Sequence, residues 1–446
     1  MSGPLPVAAA LPDLLAALAD NVPVALVAPP GAGKTTLVPP ALLDAPWRGD
    51  GRILLLQPRR LAARAAAERM AALAGDSVGG RIGYRTRMDS KVSAATRIEV
   101  VTEGIFARQL IADPELTGVA AVILDEVHER SLDSDLALAL LLEAREALRP
   151  DLRLLLMSAT LDGAAYDAII PGLARVSSEG RMFPVELRHI GRNAELRIEE
   201  AMTSAILAAL ATEPGSLLAF LPGAAEIERV AERLAPRLAD DIDLYRLYGA
   251  REGSDQRAAI APAPPGRRKL VLATSIAETS ITIDGVRIIV DAGLARRPRY
   301  DRSVGLTRLV TERASQAAVT QRAGRAGRTA PGVAIRLWAA AETAGRPRFD
   351  PPEILESDLT GLVLECARWG ATDPGQLRWL DAPPDSAVAE ARARLGALGL
   401  IDTDGRVTPH GAAVAALPLP PALGHMLVTA AAEGLAGLAA EVAVLV

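Results

Sequence analysis

At 446 residues the chain is longer than one hydrophobic core organises, which predicts two to four domains. Half of it is apolar, 23% charged and 3% aromatic, a globular composition that excludes disordered and fibrous classes. The net charge of −5 does not advertise a nucleic-acid binder, and a single cysteine, Cys366, excludes an intrachain disulfide framework and a Cys-cluster zinc site. A reducing, cytoplasmic setting is expected, with Cys366 a buried small hydrophobe. No leader-like opening and no run of about 18 uncharged apolar residues suggests a membrane span.

In chain order, the first predicted element is the apolar run "VALVA" 24–28, followed directly by "PPGAGKTT". A glycine-rich turn between a buried strand and a helix aims several N–H groups, and the positive end of the helix, at one point. Pro30, Gly31, Ala32, Gly33, Lys34, Thr35 and Thr36 form this candidate phosphate loop. Lys34 would reach the terminal phosphates and Thr35 would meet magnesium, although Ala28 stands where the pattern has its first glycine. Further strands follow at "ILLLQ" 53–57, "IEVVT" 98–102, "AVILDE" 121–126 and "LRLLLMSAT" 152–160. Continuous apolar runs of this length predict central parallel strands, hence a doubly wound α/β lobe with its motifs at carboxyl ends.

The run 121–126 leads into "DEVHER" 125–130, where Asp125 suits magnesium and Glu126 suits a general base for in-line attack, with or without a share in the metal. His128 is a candidate sensor, and Ser158 and Thr160 of "SAT" are suited to linking the carboxylates to a second lobe. That lobe is predicted from "SLLAFLPG" 216–223, "IDLYRLYG" 242–249, "KLVLATS" 269–275, "RIIVDAG" 287–293 and "GVAIRLW" 332–338, with a connector around Gly180 that lacks helical periodicity. Between Arg287 and Arg328 ten arginines face three acids, a local excess of +7 that could meet a polyanion or be a solvated face. Within "QRAGRAGR" 321–328, helical spacing would align Arg322, Arg325 and Arg328, able to enter the phosphate site of the first lobe while Gln321 orients phosphate or water.

The motifs "APPGAGKTT", "QPRRLAA", "VTEGIFARQL", "DEVHER", "SAT", "FLPG", "ATSIAETSITIDG" and "QRAGRAGR", in this order, resemble the DEAH-box helicases of superfamily 2. The resemblance implies an α/β fold of two tandem RecA-like P-loop domains, 1–180 and 181–350, then a winged-helix domain at 351–416 and the start of a helical ratchet domain at 417–446. It implies an ATP- and Mg2+-dependent monomeric enzyme acting on single-stranded or tailed duplex RNA or DNA, 3′ to 5′. A P-loop switch that remodels a protein or RNA–protein partner is the alternative. Lys34, Thr35, Asp125, Glu126, Gln321, Arg325 and Arg328 would form the catalytic site, with Asp284 and Gly285 sensing nucleotide. Arg59, Arg60, Thr102, Glu103, Gly223, Thr274 and Thr279 would grip the nucleic-acid backbone. The stretch "RRPRYDRSVGLTRLVTERAS" resembles a strand-separating β-hairpin. Val127 and Ser275 depart from the family pattern, and "DQRAAIAPAP" shows no aromatic for stacking on a base. The closing "HMLVTAAAEGLAGLAAEVAVLV" reads as an amphipathic to apolar helix pattern in want of a partner, as in a chain cut within the ratchet, which would leave a nucleic-acid channel open on one side.

Overall fold

The computed structural model describes residues 5–87, 89–180, 183–193, 195–249, 253–278 and 283–445, with backbone only at 253 and 254. Its first lobe is built on β1 (Val24–Val27), β2 (Arg52–Gln57), β3 (Ile82–Arg85), β4 (Ser90–Lys91), β5 (Ile98–Thr102), β6 (Val119–Leu124), β7 (Arg153–Ser158) and β8 (Ala174–Ser177). The strand order is β4-β3-β5-β2-β6-β7-β1-β8, and every pairing is parallel except β3 with β4. The five predicted strands are five of the six that pair on both sides; β3, β4 and β8, at or next to an edge, were not predicted, because strands there are short and partly polar.

The second lobe carries β9 (Val185–His189), β10 (Ser216–Phe220), β11 (Ile242–Leu247), β12 (Arg268–Ala273), β13 (Val286–Asp291) and, beyond β14 and β15, β16 (Gly332–Arg336). They form a parallel sheet of order β11-β12-β10-β13-β16-β9. The aperiodic connector thus contains an edge strand, β9, and the chain passes from one sheet to the other within 178–184. β14 (Leu294–Asp301) and β15 (Leu306–Arg313) make the antiparallel hairpin, in register from Leu294↔Arg313 to Asp301↔Leu306.

After the lobes come helices Thr360–Trp369, Asp385–Ala397, Pro409–Ala416, Pro421–Ala432 and Ala436–Leu445, with one antiparallel bridge, Ile401↔Val407, at the predicted wing. The closing helix is two helices, because Gly434 adopts φ +77° and ends the first. No single described helix is long and apolar enough to cross a membrane; one bent pair, Pro409–Ala416 and Pro421–Ala432, passes on length and composition but turns by 107°. Hydrophobic packing unites the C-terminal helices with the first lobe: Leu56, Phe106, Leu140 and Leu156 share one core with Ile354, Leu362, Cys366 and Leu395. The second lobe has separate cores on its two sheet faces.

Candidate active site between the lobes

Strand order assembles the site. β2, β6, β7 and β1 are consecutive neighbours, so the residues at their carboxyl ends, Gln57, Asp125, Ser158 and the loop after Val27, lie side by side. Gly31 and Gly33 take φ +84° and +94°, where a β-carbon is disfavoured, and Gly33 opens helix Lys34–Ala41. Ala28 is 1% exposed, and its carbonyl accepts the Lys34 ammonium at 2.6 Å. A methyl therefore fits the core at the position of the missing glycine, and the loop keeps its bend.

Asp125 is the hub. Its Oδ2 accepts Thr35 Oγ1 at 2.6 Å and Gln57 Nε2 at 2.7 Å, and its Oδ1 accepts the Glu126 N–H at 2.9 Å. Burial pushes its carboxyl up to about 6, Glu126 adds to this, and Lys34, Thr35 and Gln57 oppose it. Glu126 is also buried and sits at φ +55°. Burial raises its carboxyl as well, with Lys34, Arg325 and Arg328 pulling the other way. Among the described residues its buried Oε2 has no hydrogen-bond partner. A carboxylate left unsatisfied beside a hydroxyl, a second carboxylate and an ammonium fits a magnesium ion and a water in the same space.

His128 spans the cleft. The Ser158 hydroxyl donates to the Thr160 carbonyl and lies 3.2 Å from His128 Nδ1, which also faces the Ala159 N–H at 3.5 Å. On the other side of the ring, Nε2 meets the Gln321 amide of the second lobe at 2.9 Å. Burial lowers the imidazole pKa, with Glu129, Asp125 and Glu278 opposing. Glu126 Oε2 lies 3.4 Å from Nδ1, so the ring touches the candidate base and the opposite lobe together.

The arginines divide by role. Helix Gln316–Gly324 ends before Arg325, and residues Arg325–Gly327 form a 3₁₀ turn. Arg328 lies over the phosphate loop: a β-carbon at Gly31 would be 3.6 Å from Arg328 Cδ. Burial lowers the Arg328 guanidinium to about 10, with Glu126 and Asp284 opposing, so Asp284 stands near this side chain. Arg325 is buried, donates from Nε to the Glu278 carbonyl at 3.0 Å, and is depressed by burial and by Arg328. Arg322 departs from the sequence expectation. It is 1% exposed inside the second lobe, bonded to Glu278 and Asp291 and stacked on Phe220, so its charge is neutralised there.

Other predicted residues are more dispersed. Arg59 is committed across the lobes, donating to Glu129 at 2.9 Å and to the Ser275 carbonyl at 3.0 Å. Arg60 is exposed, Thr102 and Thr274 are half-buried at the ends of β5 and β12, and Gly223 is buried ahead of helix Ala224–Leu234. Glu103 faces inward: it accepts the Ser131 hydroxyl, and burial pushes its carboxyl up to about 8. Thr160 is exposed at an interlobe cavity of about 710 Å³ that Arg59, His128 and Gln321 also line. Asp284 and Gly285 are exposed ahead of β13, Gly285 at φ +77°. Thr279 lies outside the described residues. The basic stretch is largely spent internally, since Arg296, Arg297, Arg299 and Arg322 all pair with acids. Gln57, in "QPRRLAA", and Glu278, in "ATSIAETSITIDG", join the site through Asp125 and Arg322, contacts that residue type alone does not signal.

Fold and site together define a two-lobed P-loop helicase core, with the phosphate loop and carboxylates in one lobe and arginines from the other. Residues 8–169 match the DEAD/DEAH box helicase family and residues 200–330 the helicase conserved C-terminal domain, and the chain belongs to the DEAH-box helicases. It is 50% identical over 98% of its length to the ATP-dependent RNA helicase HrpB of Escherichia coli (strain K12), of which it spans 54%. It is 33% identical to the probable ATP-dependent RNA helicase DHR2 of Saccharomyces cerevisiae, over 95% of this chain and 59% of that relative. To the Schizosaccharomyces pombe pre-mRNA-splicing factor ATP-dependent RNA helicase prp22 it is 35% identical, over 96% of this chain and 37% of that one. A crystal structure of the Escherichia coli DEAH/RHA helicase HrpB superposes with a TM-score of 0.93, covering 98% of this chain and 56% of that one. The chain thus spans about half the length of relatives such as HrpB and DHR2.

Proposed function

We propose that the chain is an ATP-dependent motor that moves along single-stranded RNA or DNA, 3′ to 5′, and separates duplexes. The observation that carries the reading is the closed contact between lobes: Gln321 on His128 at 2.9 Å and Arg328 over Gly31 of the phosphate loop. Bound Mg-ATP would supply the phosphoryl group and a divalent charge. Lys34 would exchange the Ala28 carbonyl for the terminal phosphates, and Thr35 and Asp125 would hold the metal with Glu126 beside them. Glu126 would take the proton of the attacking water, and Arg325 and Arg328 would stabilise charge that develops in the transition state. Asp284 and Gly285 would report on the nucleotide from the second lobe.

In this reading residues 1–180 and 181–350 are the two motor domains, 351–416 the winged-helix domain and 417–446 the start of the ratchet. Arg59, Arg60, Thr102, Gly223, Thr274 and Thr279 would line the strand path, with Glu103 buttressing it from beneath. Contacts to phosphates carry little sequence information, so binding is sequence-tolerant and weakens with salt. The relatives' names favour RNA. Titrating ATPase turnover with single-stranded RNA, with single-stranded DNA and without either tests the reading; turnover indifferent to both favours the protein-remodelling alternative.

A further inference from the structure

The loop that carries Glu126 is held from two directions. Towards the nucleotide it rests on Asp125 and His128. Within the first lobe Tyr166 donates to the Val127 carbonyl at 3.2 Å and Arg59 binds Glu129, and further contacts come from the C-terminal module. The Arg130 carbonyl accepts the Glu353 N–H at 3.1 Å, and the Glu353 carboxylate accepts the Leu132 N–H at 2.9 Å. The Arg130 guanidinium binds Asp135 through two nitrogens at 3.1 and 2.9 Å and reaches Asp381 at 2.7 Å. Asp381 and Glu353 lie 251 and 221 positions away from their partners in sequence, so no local rule of the loop provides these contacts.

Backbone geometry gives the contacts a consequence. Glu126 and Arg130 are both left-handed, at φ +55° and +52°, and they enclose a single 3₁₀ turn, Val127–Glu129. An arginine does not adopt that conformation unless its surroundings impose it. Were Arg130 to relax, the turn would swivel about it and carry the Glu126 carboxylate away from the space beside Lys34 and Thr35.

We infer that Arg130 is a positioning residue for hydrolysis, its guanidinium latched by Asp381 and the backbone after it pinned at Leu132 by the Glu353 carboxylate, and that the C-terminal module thereby sets the orientation of Glu126. The inference rests on the ATPase reading above. It gives the shared core of the first lobe and C-terminal helices a function: displacing residues 353 and 381 would be felt at the general base without passing through the second lobe.

The test uses the whole chain. Steady-state kcat and KM, affinity for a fluorescent ATP analogue, and melting temperature are measured for wild type, Asp381→Ala, Glu353→Ala, Asp381→Asn and Glu353→Gln. The alanine variants should lower kcat by about tenfold or more, with KM and analogue affinity within about twofold, since a misplaced catalytic group costs turnover rather than binding. Asp381→Asn and Glu353→Gln keep an accepting oxygen and should restore most of the loss, which separates positioning from bulk stability. Asp135 remains to pair with Arg130 in both Asp381 variants, so they should fold, and the Glu353 pair provides an independent reading. Wild-type kcat in both alanine variants overturns the inference. So does a loss of analogue affinity that parallels a fall in melting temperature. Absence of turnover in wild type overturns the ATPase reading instead.

Discussion

Glu126 combines burial, a raised carboxyl and an unsatisfied oxygen, features of a group kept for a reacting water. Glu126→Gln retains the shape but not the basicity, so ATP binding should persist while turnover falls by about 10²- to 10⁴-fold. Single-turnover hydrolysis beside an analogue-binding titration checks this. Glu103 offers a separate test, away from the nucleotide. Its carboxyl is raised from 4.5 to about 8, chiefly by burial, so between these values the folded state holds a proton that the unfolded state has released. Stability from this group therefore falls as pH rises through that window, and is lowest above pH 8. Glu103→Gln, neutral throughout and still able to accept from Ser131, should melt near wild type at pH 4.5. At pH 8.5 it should melt about 2–4 °C higher, the shift that ~1 kcal/mol gives in a large domain. An equal difference at both pH values would assign the effect to packing.

At the scale of elements, the three arginines of one helical stretch differ in what surrounds them: Arg322 meets Glu278 and Asp291, Arg325 the Glu278 carbonyl, and Arg328 the loop at Gly31. Arg325→Ala and Arg328→Ala should depress kcat far more than they raise KM, as for groups that meet transition-state charge. Arg322→Ala should instead destabilise the second lobe, by about 3–5 kcal/mol, because it leaves Asp291 and Glu278 buried without their cation. Thermal melts read beside kcat distinguish the two classes. The hairpin β14–β15 shows similar economy. Tyr300 donates to Glu390 at 3.0 Å, Arg302 donates to Ser386 at 2.9 Å, and Arg394 lies over the Tyr300 ring, which braces the hairpin on helix Asp385–Ala397.

At the scale of the molecule, the shared core makes the first lobe and the C-terminal helices one cooperative unit. Cys366, 0% exposed and the only cysteine, reports on that unit, because burial lifts its thiol to about 12 and keeps it unreactive. Leu395→Ala removes a fully buried side chain from the same core and should cost about 2–5 kcal/mol. Thiol labelling of Cys366 should accelerate accordingly, together with amide exchange in β6 and β7 of the first lobe, while exchange in β10 and β12 of the second stays unchanged. Acceleration confined to residues after 351 would show that the two parts open independently.

The sequence by itself determined most of the inner strands and most residues of the candidate site. A buried parallel strand needs an unbroken apolar run, and a phosphate loop needs glycine and lysine at fixed offsets; both are local demands that adjacent residues must meet. Lys34, Thr35, Asp125 and Glu126 were legible for that reason, and strand order then carried them to one edge. What only tertiary structure decided depends on partners far along the chain. Edge strands β8 and β9 take their conformation from neighbours, because their own pattern is too short and too polar to demand it. Arg322, Arg325 and Arg328 look equivalent in "QRAGRAGR", yet their surroundings make Arg322 a strut between Glu278 and Asp291, hold Arg325 on the Glu278 carbonyl and lay Arg328 over the phosphate loop. The grip of Asp381 and Glu353 on Arg130 has no local signature at all. A charge pair across 251 residues exists only once the C-terminal helices have packed on the first lobe, and packing is a property of surfaces that the order of residues does not display.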